Sequence, residues 1–95
     1  MPLTSKRRAE LRAEAHHLRP VVQVGRQGLT DAVRQSVDDA LRTRELVKIQ
    51  LGRESDVGPQ DVADSLAATL GADVVQVIGR TLTLFRENPE RAGGA

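Results

Sequence analysis

Cysteine is absent from this chain of 95 residues, and its only aromatic side chain is Phe85. Without cysteine the chain can form neither a disulfide framework nor a thiolate metal site. A single aromatic residue also excludes the binding mode in which a sheet stacks two or three bases on aromatic rings. Strand alternation places Phe85 on the polar side of its strand, where it could stack on a base or pack against a neighbouring side chain. We favour packing.

Long apolar runs and a strong net charge are missing as well. No segment approaches the roughly 20 apolar residues of a membrane span, and residues 1–8 lack the apolar core of a secretory signal. We therefore expect a cytoplasmic protein without membrane contact. The formal net charge of +1 does not predict nucleic-acid binding. However, arginine supplies 12 of the 14 basic residues, and arginine suits bidentate phosphate contacts.

Groups that could support catalysis or metal binding are poorly placed. His16 and His17 are adjacent, so on a helix they diverge by about 100° and cannot chelate one ion together. No third ligand follows at a zinc-site spacing. Asp38 and Asp39 diverge in the same way, and no serine has the context of a nucleophile elbow. We predict no enzymatic activity, no metal and no cofactor.

Hydrophobic periodicity predicts an α/β protein with the element order α-β-α-β-α-β-β. Short strand–helix–strand crossovers favour parallel pairing, whereas a type II′ turn at Gly79-Arg80 makes the last strand antiparallel to the third. The expected fold is a two-layer sandwich whose sheet leaves one face partly open. We expect residues 1–86 to form one domain and residues 87–95 to form a flexible tail, and the pattern does not place the first helix. The predicted helices are 4–18, 30–45 and 59–70, and the predicted strands are 21–24, 46–51, 72–78 and 81–86.

The segment 21–29 combines a short apolar strand, a glycine-bracketed tetrapeptide and the start of a helix. Gly25 and Gly28 would let the backbone turn sharply and approach another molecule closely. The helix that begins at Thr30 would direct free N–H groups and its positive dipole end toward the same place. Phosphate is the natural ligand of such a loop. A structural turn that simply needs glycine explains the pattern too, and both interpretations stay open.

Charge is segregated on the first predicted helix. Glu10 and Glu14 lie on one flank, which leaves the other flank basic. This flank is either a phosphate-binding surface or a solvated face. Without aromatic residues, RNA contacts would depend on phosphate, ribose and shape, and in KH domains a glycine loop of the same pattern clamps the nucleotide backbone. The basic flank comprises Arg8, Arg12, His16 and Arg19.

Four separate stretches, in the same order, resemble the CRM domain, named for chloroplast RNA splicing and ribosome maturation. The stand-alone bacterial branch is the YhbY-like family, and the resemblance covers about residues 3–86. It implies a fold like the C-terminal domain of a bacterial translation initiation factor. In that fold a mixed sheet has strand order 1-2-4-3 with strand 4 antiparallel, and the second and third helices lie on one face. The stretches are LTSK at 3–6, AHHLRPVVQVG at 15–25, GLT at 28–30 and VQVIGRTL at 75–82.

The resemblance also implies a function. It indicates a non-catalytic, monomeric RNA-binding protein that associates with precursors of large-subunit ribosomal RNA in a pre-ribosomal particle. The family more often has asparagine where Gln27 stands and tyrosine where Phe85 stands, but a backbone cradle depends on neither. The near-neutral charge keeps an alternative open, a protein-interaction module that docks on a ribosomal protein or assembly factor. The expected RNA-binding residues are Gly25, Arg26, Gln27 and Gly28 of the family's G-x-x-G loop, with Arg8, Arg12, His16, Arg19, Lys6, Arg7 and Lys48.

Overall fold

The computed structural model describes residues 3–88 and forms one four-stranded sheet with three helices. The strand order is β1-β2-β4-β3; β1 pairs parallel to β2, and β4 is antiparallel to both β2 and β3. The predicted mixed sheet and its order are confirmed. In chain order the elements are α1 (Ser5–Ala15), β1 (Val22–Val24), α2 (Asp31–Arg44), β2 (Leu46–Leu51), α3 (Pro59–Leu70), β3 (Asp73–Ile78) and β4 (Thr81–Phe85).

Capping residues set most helix boundaries where the sequence predicts them. The Thr4 hydroxyl accepts a hydrogen bond from the Arg7 N–H at 3.0 Å, and Thr30 caps α2 in the same way. Pro59 opens α3, and Gly71 ends it with a left-handed φ of 65°. These local signals explain why α2 and α3 agree closely with the prediction.

The first helix is shorter than predicted, because it ends at Ala15 and not near Leu18. The N–H groups of residues 16–18 bond to carbonyls three residues back, which tightens the chain into turns beyond the helix. Lys48, in the middle of β2, donates from Nζ to the carbonyl oxygens of Ala15 at 3.0 Å and Leu18 at 3.4 Å. A charged side chain from the sheet therefore satisfies the carbonyls at this helix end.

One face of the sheet is packed under α2 and α3, as predicted. Val47, Ile49 and Leu51 on β2 and Leu82 and Leu84 on β4 all point to this face and are essentially inaccessible to solvent. Burying each such side chain contributes about 1.5–3 kcal/mol. The two predicted layers are therefore the sheet and this helix pair, which supply the main core.

The opposite face carries α1, which covers only part of it. Leu11 and Ala15 of α1 pack on Leu46, Val75 and Phe85. Phe85 is 8% exposed in this second cluster, so it packs against α1 and is not free to stack on a base. We call the uncovered remainder of this side the open face.

Arg86 links the end of β4 to both helices of the main layer. Its Nη1 donates to Asp38 Oδ1 at 2.8 Å and to the Leu70 carbonyl oxygen at 3.0 Å. The second oxygen of Asp38 accepts from Arg42 Nη2 at 2.8 Å. The hydrogen bond from Arg86, assisted by the charges of both arginines, lowers the pKa of Asp38. The sequence gives no local sign of this link.

The chain stays attached to α2 just beyond Arg86. The backbone N–H of Asn88 donates to Glu45 Oε2 at 2.7 Å, and its side-chain Nδ2 donates to the Arg42 carbonyl oxygen at 2.8 Å. Residues 87 and 88 of the predicted tail are thus described, and residues 89–95 lie outside the described residues. The flexibility of the tail stays a prediction.

Replacing Arg86 with Met should lower the free energy of unfolding by about 1.5–3 kcal/mol at neutral pH, because hydrogen bonds to a charged group are lost. Arg42→Met is the matched control, since the Arg42 side chain is 66% exposed against 24% for Arg86. An exposed pair of this kind contributes less than about 1 kcal/mol. Denaturant titration of both variants measures the two losses.

The loss of stability in Arg86→Met should depend on pH, and the direction of that dependence follows from the pKa of Asp38. The pKa of Asp38 is lower in the folded state, so its contribution is present above its ordinary pKa and is lost as pH falls through the depressed value. The difference between wild type and Arg86→Met should therefore shrink in acid. Equal losses in both variants, or a difference that does not change with pH, would contradict this account of Arg86.

Candidate nucleic-acid interface

The tetrapeptide Gly25–Gly28, here called the glycine loop, forms a tight turn between β1 and α2. The Gly28 N–H donates to the Gly25 carbonyl oxygen at 3.0 Å, which closes the turn with Arg26 and Gln27 exposed at its tip. Gly28 has φ of 71°, a left-handed conformation that glycine adopts without strain. Thr30 then donates its N–H to the Gly28 carbonyl oxygen at 3.0 Å and caps α2. The predicted sequence of strand, glycine loop and helix is confirmed.

The loop offers free backbone donors at its tip. In the hydrogen-bond network of residues 3–88, the N–H groups of Arg26 and Gln27 have no acceptor, so both are available to a ligand. Asp31, at the first position of α2, is fully exposed and already compensates the positive end of the helix dipole. An anion at this loop would therefore be held by the tip N–H groups and the Arg26 guanidinium more than by the helix end.

The two glycines differ in what a side chain would do to the fold. A Cβ atom at either position would meet no atom within 4 Å. Gly28 has positive φ, so any side chain there is strained, whereas Gly25 does not have positive φ. Gly25 is therefore the position at which the loop can be altered with the least effect on folding.

The topology brings two further arginines to the end of the sheet that carries the glycine loop. We call this end of the sheet the loop edge. Gly52 donates its N–H to the Val24 carbonyl oxygen at 2.8 Å, and Arg80 Nη1 donates to the Gly52 carbonyl oxygen at 3.1 Å. Arg53 and Arg80 are exposed there beside the glycine loop. The sequence-based set missed both. Their position directly after β2 and β3, which run in the same direction as β1, is the signal that could have found them.

The predicted basic residues of α1 do not all remain free. The Arg8 guanidinium is half-buried and donates to the Val74 carbonyl oxygen, and the Arg7 guanidinium carbon lies 5.4 Å from the centroid of the Phe85 ring. Phe85 pairs with residues at the starts of β2 and β3, so these arginines lie at the end of the sheet remote from the glycine loop. Both contacts hold α1 on the sheet.

Lys48 also has a structural role, since its ammonium binds the carbonyls at the end of α1. His16 follows that helix end, and the two side chains line the same pocket on the open face. Among the predicted side chains, Arg8 and Lys48 are partly buried and engaged in packing, and Arg7 is exposed but contacts the Phe85 ring. The other predicted side chains are exposed to solvent, namely Lys6, Arg12, His16, Arg19, Arg26 and Gln27.

Two kinds of feature are not found within residues 3–88. No three His, Asp or Glu side chains converge in a way that could hold a metal ion. No helix in this part of the chain combines the length and the apolar character needed to cross a membrane.

Comparison with known proteins agrees with this architecture. The family model of the CRS1/YhbY (CRM) domain matches residues 3–86. The chain is 38% identical over 88 residues to the probable RNA-binding protein YqeI of Bacillus subtilis (strain 168), with 93% of this chain and 92% of that relative covered. It is 41% identical over 86 residues to a probable RNA-binding protein of Methanocaldococcus jannaschii, with 88% of this chain and 63% of that relative covered.

A solved structure shares the fold over nearly the whole length. The solution structure of the hypothetical protein SAV1595 from Staphylococcus aureus superposes with a TM-score of 0.75 at 30% identity. The superposition covers 92% of this chain and 91% of that chain. The resemblance found in the sequence is confirmed, and the chain belongs to the CRS1/YhbY (CRM) domain family.

Proposed function

We propose that this chain is a non-catalytic RNA-binding protein that associates with precursors of large-subunit ribosomal RNA during ribosome assembly in the cytoplasm. The observation that best supports RNA binding is the glycine loop, with free N–H groups at its tip. Arg26, Arg53 and Arg80 are exposed along the loop edge. The relatives named as probable RNA-binding proteins also support RNA binding. The ribosomal part of the proposal rests on what the family resemblance implies.

The proposed mode of binding follows from the hydrogen-bond donors of the glycine loop. The N–H groups of Arg26 and Gln27 would hold phosphate oxygens, and the Arg26 guanidinium would add a charge-assisted hydrogen bond. Arg12, His16 and Arg19 would extend the footprint toward α1. Such contacts position the nucleic-acid backbone and carry no sequence information by themselves.

A protein-interaction module remains the second candidate, because Ile78 is 59% exposed on the open face and the net charge is only +1. A single exposed isoleucine is ordinary for a protein surface and does not make a docking patch. The two candidates separate in one titration: RNA binding by phosphate contacts occurs with protein-free RNA and weakens steadily as salt rises.

Gly25→Asp should weaken RNA binding about tenfold or more, since a carboxylate beside the loop opposes phosphate contacts worth roughly 1.5–3 kcal/mol. The fold should persist, because Gly25 does not have positive φ and a Cβ there meets nothing within 4 Å. Binding is measured by fluorescence anisotropy with single-stranded RNA, and folding by circular dichroism. Gly28→Asp should also weaken binding, with an additional loss of stability from its φ of 71°.

Ala68→Asp is the matched control for Gly25→Asp. It adds the same charge at an exposed position of α3, on the other side of the sheet, and should leave RNA affinity unchanged. A folded Gly25→Asp protein that binds RNA as tightly as wild type would rule out the glycine loop as the phosphate site.

Arg12→Ala should flatten the plot of log affinity against log salt by roughly 0.7–0.9 per lost phosphate contact. Arg44→Ala provides the comparison, because Arg44 is also exposed but lies at the end of α2, beyond the opposite face of the sheet. The salt dependence of binding is measured for both variants with one RNA. Identical slopes for the two variants would remove α1 from the binding surface.

A further inference from the structure

A pocket of about 170 Å³ opens on the open face, between the end of α1 and the hairpin that joins β3 and β4. Its lining contains hydroxyl, amide, imidazole and ammonium groups with one branched apolar side chain, and no carboxylate. Of its lining residues, only His16 belongs to the phosphate contacts proposed above. The lining residues are His16, Lys48, Gln76, Ile78, Thr81 and Thr83.

The pocket is formed by the register of three strands together with a β-bulge in β3. Thr83 on β4 pairs with Lys48 on β2 and with Gln76 on β3, which aligns the three side chains across neighbouring strands on one face. The register shifts between Val74 and Gln76, so Val75 is an extra residue. Strict alternation after Val74 would turn Gln76 toward α2 and α3. The bulge instead places Val75 under α1 and Gln76 in the pocket.

Thr83 has an unsatisfied polar atom in this lining. The residue is 1% exposed, and among residues 3–88 its Oγ1 has no hydrogen-bond partner. Buried side-chain polar atoms are nearly always paired, and leaving one unpaired costs stability. Because Thr83 lines the pocket, its unpaired hydroxyl is a group that a ligand bound there could satisfy.

The remaining groups define the ligand chemistry. The Lys48 ammonium donates to the carbonyl oxygens of Ala15 and Leu18. Because an ammonium has three donors, one remains for an acceptor on a ligand. The Gln76 amide offers both a donor and an acceptor. Ile78, 59% exposed, gives the rim an apolar surface. These groups suit a flat ring with polar edges and carbonyl oxygens.

The volume limits the ring size. A cavity of about 150 Å³ holds one benzene molecule, and this pocket is only slightly larger at about 170 Å³. A single six-membered ring fits this space, whereas part of a fused purine would project beyond it.

We propose that this pocket receives one unstacked pyrimidine base of the bound RNA. Thr83 Oγ1 and the Gln76 amide would hydrogen-bond the edge of the base, the Lys48 ammonium would bind a ring carbonyl, and Ile78 would contact the ring face. The inference rests on the proposed RNA-binding function and adds base selection to it. Single-stranded RNA is commonly read through splayed bases of this kind.

Nucleosides test the pocket separately from the glycine loop, because they carry no phosphate. Uridine, cytidine, adenosine and guanosine are titrated into the isotope-labelled protein, and amide shifts are followed by NMR. The pyrimidine nucleosides should give saturable shifts in residues 76–83 and at Lys48, with smaller shifts for the purines. Thr83→Val keeps the β-branched shape and removes the hydroxyl, so it should stay folded and weaken pyrimidine binding roughly two- to tenfold.

Short RNA oligonucleotides then show whether the pocket inference or the proposed RNA-binding function is wrong. With oligouridine and oligoadenosine of equal length, Thr83→Val should lose the preference for uridine and keep the wild-type salt slope, whereas Gly25→Asp should weaken both RNAs alike. Loop-dependent RNA binding without any pyrimidine preference, or a pyrimidine nucleoside affinity that is unchanged in Thr83→Val, would overturn the pocket inference alone. Nucleoside binding at the pocket by a protein that binds no RNA would keep the pocket and overturn the proposed function.

Discussion

The packing of α2 and α3 on one face of the sheet is the constraint on which the other features depend. Both crossovers step in the same direction across the strand order β1-β2-β4-β3, so both helices bury the same face. The opposite face is left to α1, whose 11 residues cover only part of it. The uncovered part retains polar side chains, among them Gln50 and Thr81, because no helix packs there. The proposed RNA surface is the area that this packing leaves exposed.

The loop edge follows from the same arrangement. β1, β2 and β3 run in one direction, so the loops that follow them meet at one end of the sheet, and backbone hydrogen bonds join these loops directly. The glycine loop is closed by the hydrogen bond from Gly28 to Gly25, and the adjoining Val24 carbonyl accepts from Gly52, so its backbone is constrained before any ligand arrives. Pre-organisation reduces the entropy lost on binding, which matters for a protein with a net charge of only +1 and therefore little long-range attraction for RNA.

Local features could be predicted from the sequence, whereas contacts between distant residues could not. Periodicity and capping residues located every helix and strand, since they act within one turn or one strand, but the sheet order came from the family resemblance. The end of α1 depends on Lys48, 33 residues beyond Ala15, and the link from Arg86 to Asp38 spans 48 residues. The bulge at Val75 leaves no clear trace in the sequence, because Val74 and Val75 are the same apolar residue and either could face the main core. Arg8 looked like a free cation for the same reason: its acceptor, the Val74 carbonyl, lies 66 residues away.

We expect RNA to occupy the loop edge and the open face while the outer sides of α2 and α3 stay free. Photocrosslinking with thiouridine-containing single-stranded RNA, followed by mass spectrometry of the crosslinked peptides, tests this most directly. The account predicts crosslinks within residues 16–28 and 76–83, which contain the end of α1, the glycine loop and the pocket side of the β3–β4 hairpin. Crosslinks concentrated on the exposed sides of α2 and α3 would contradict it.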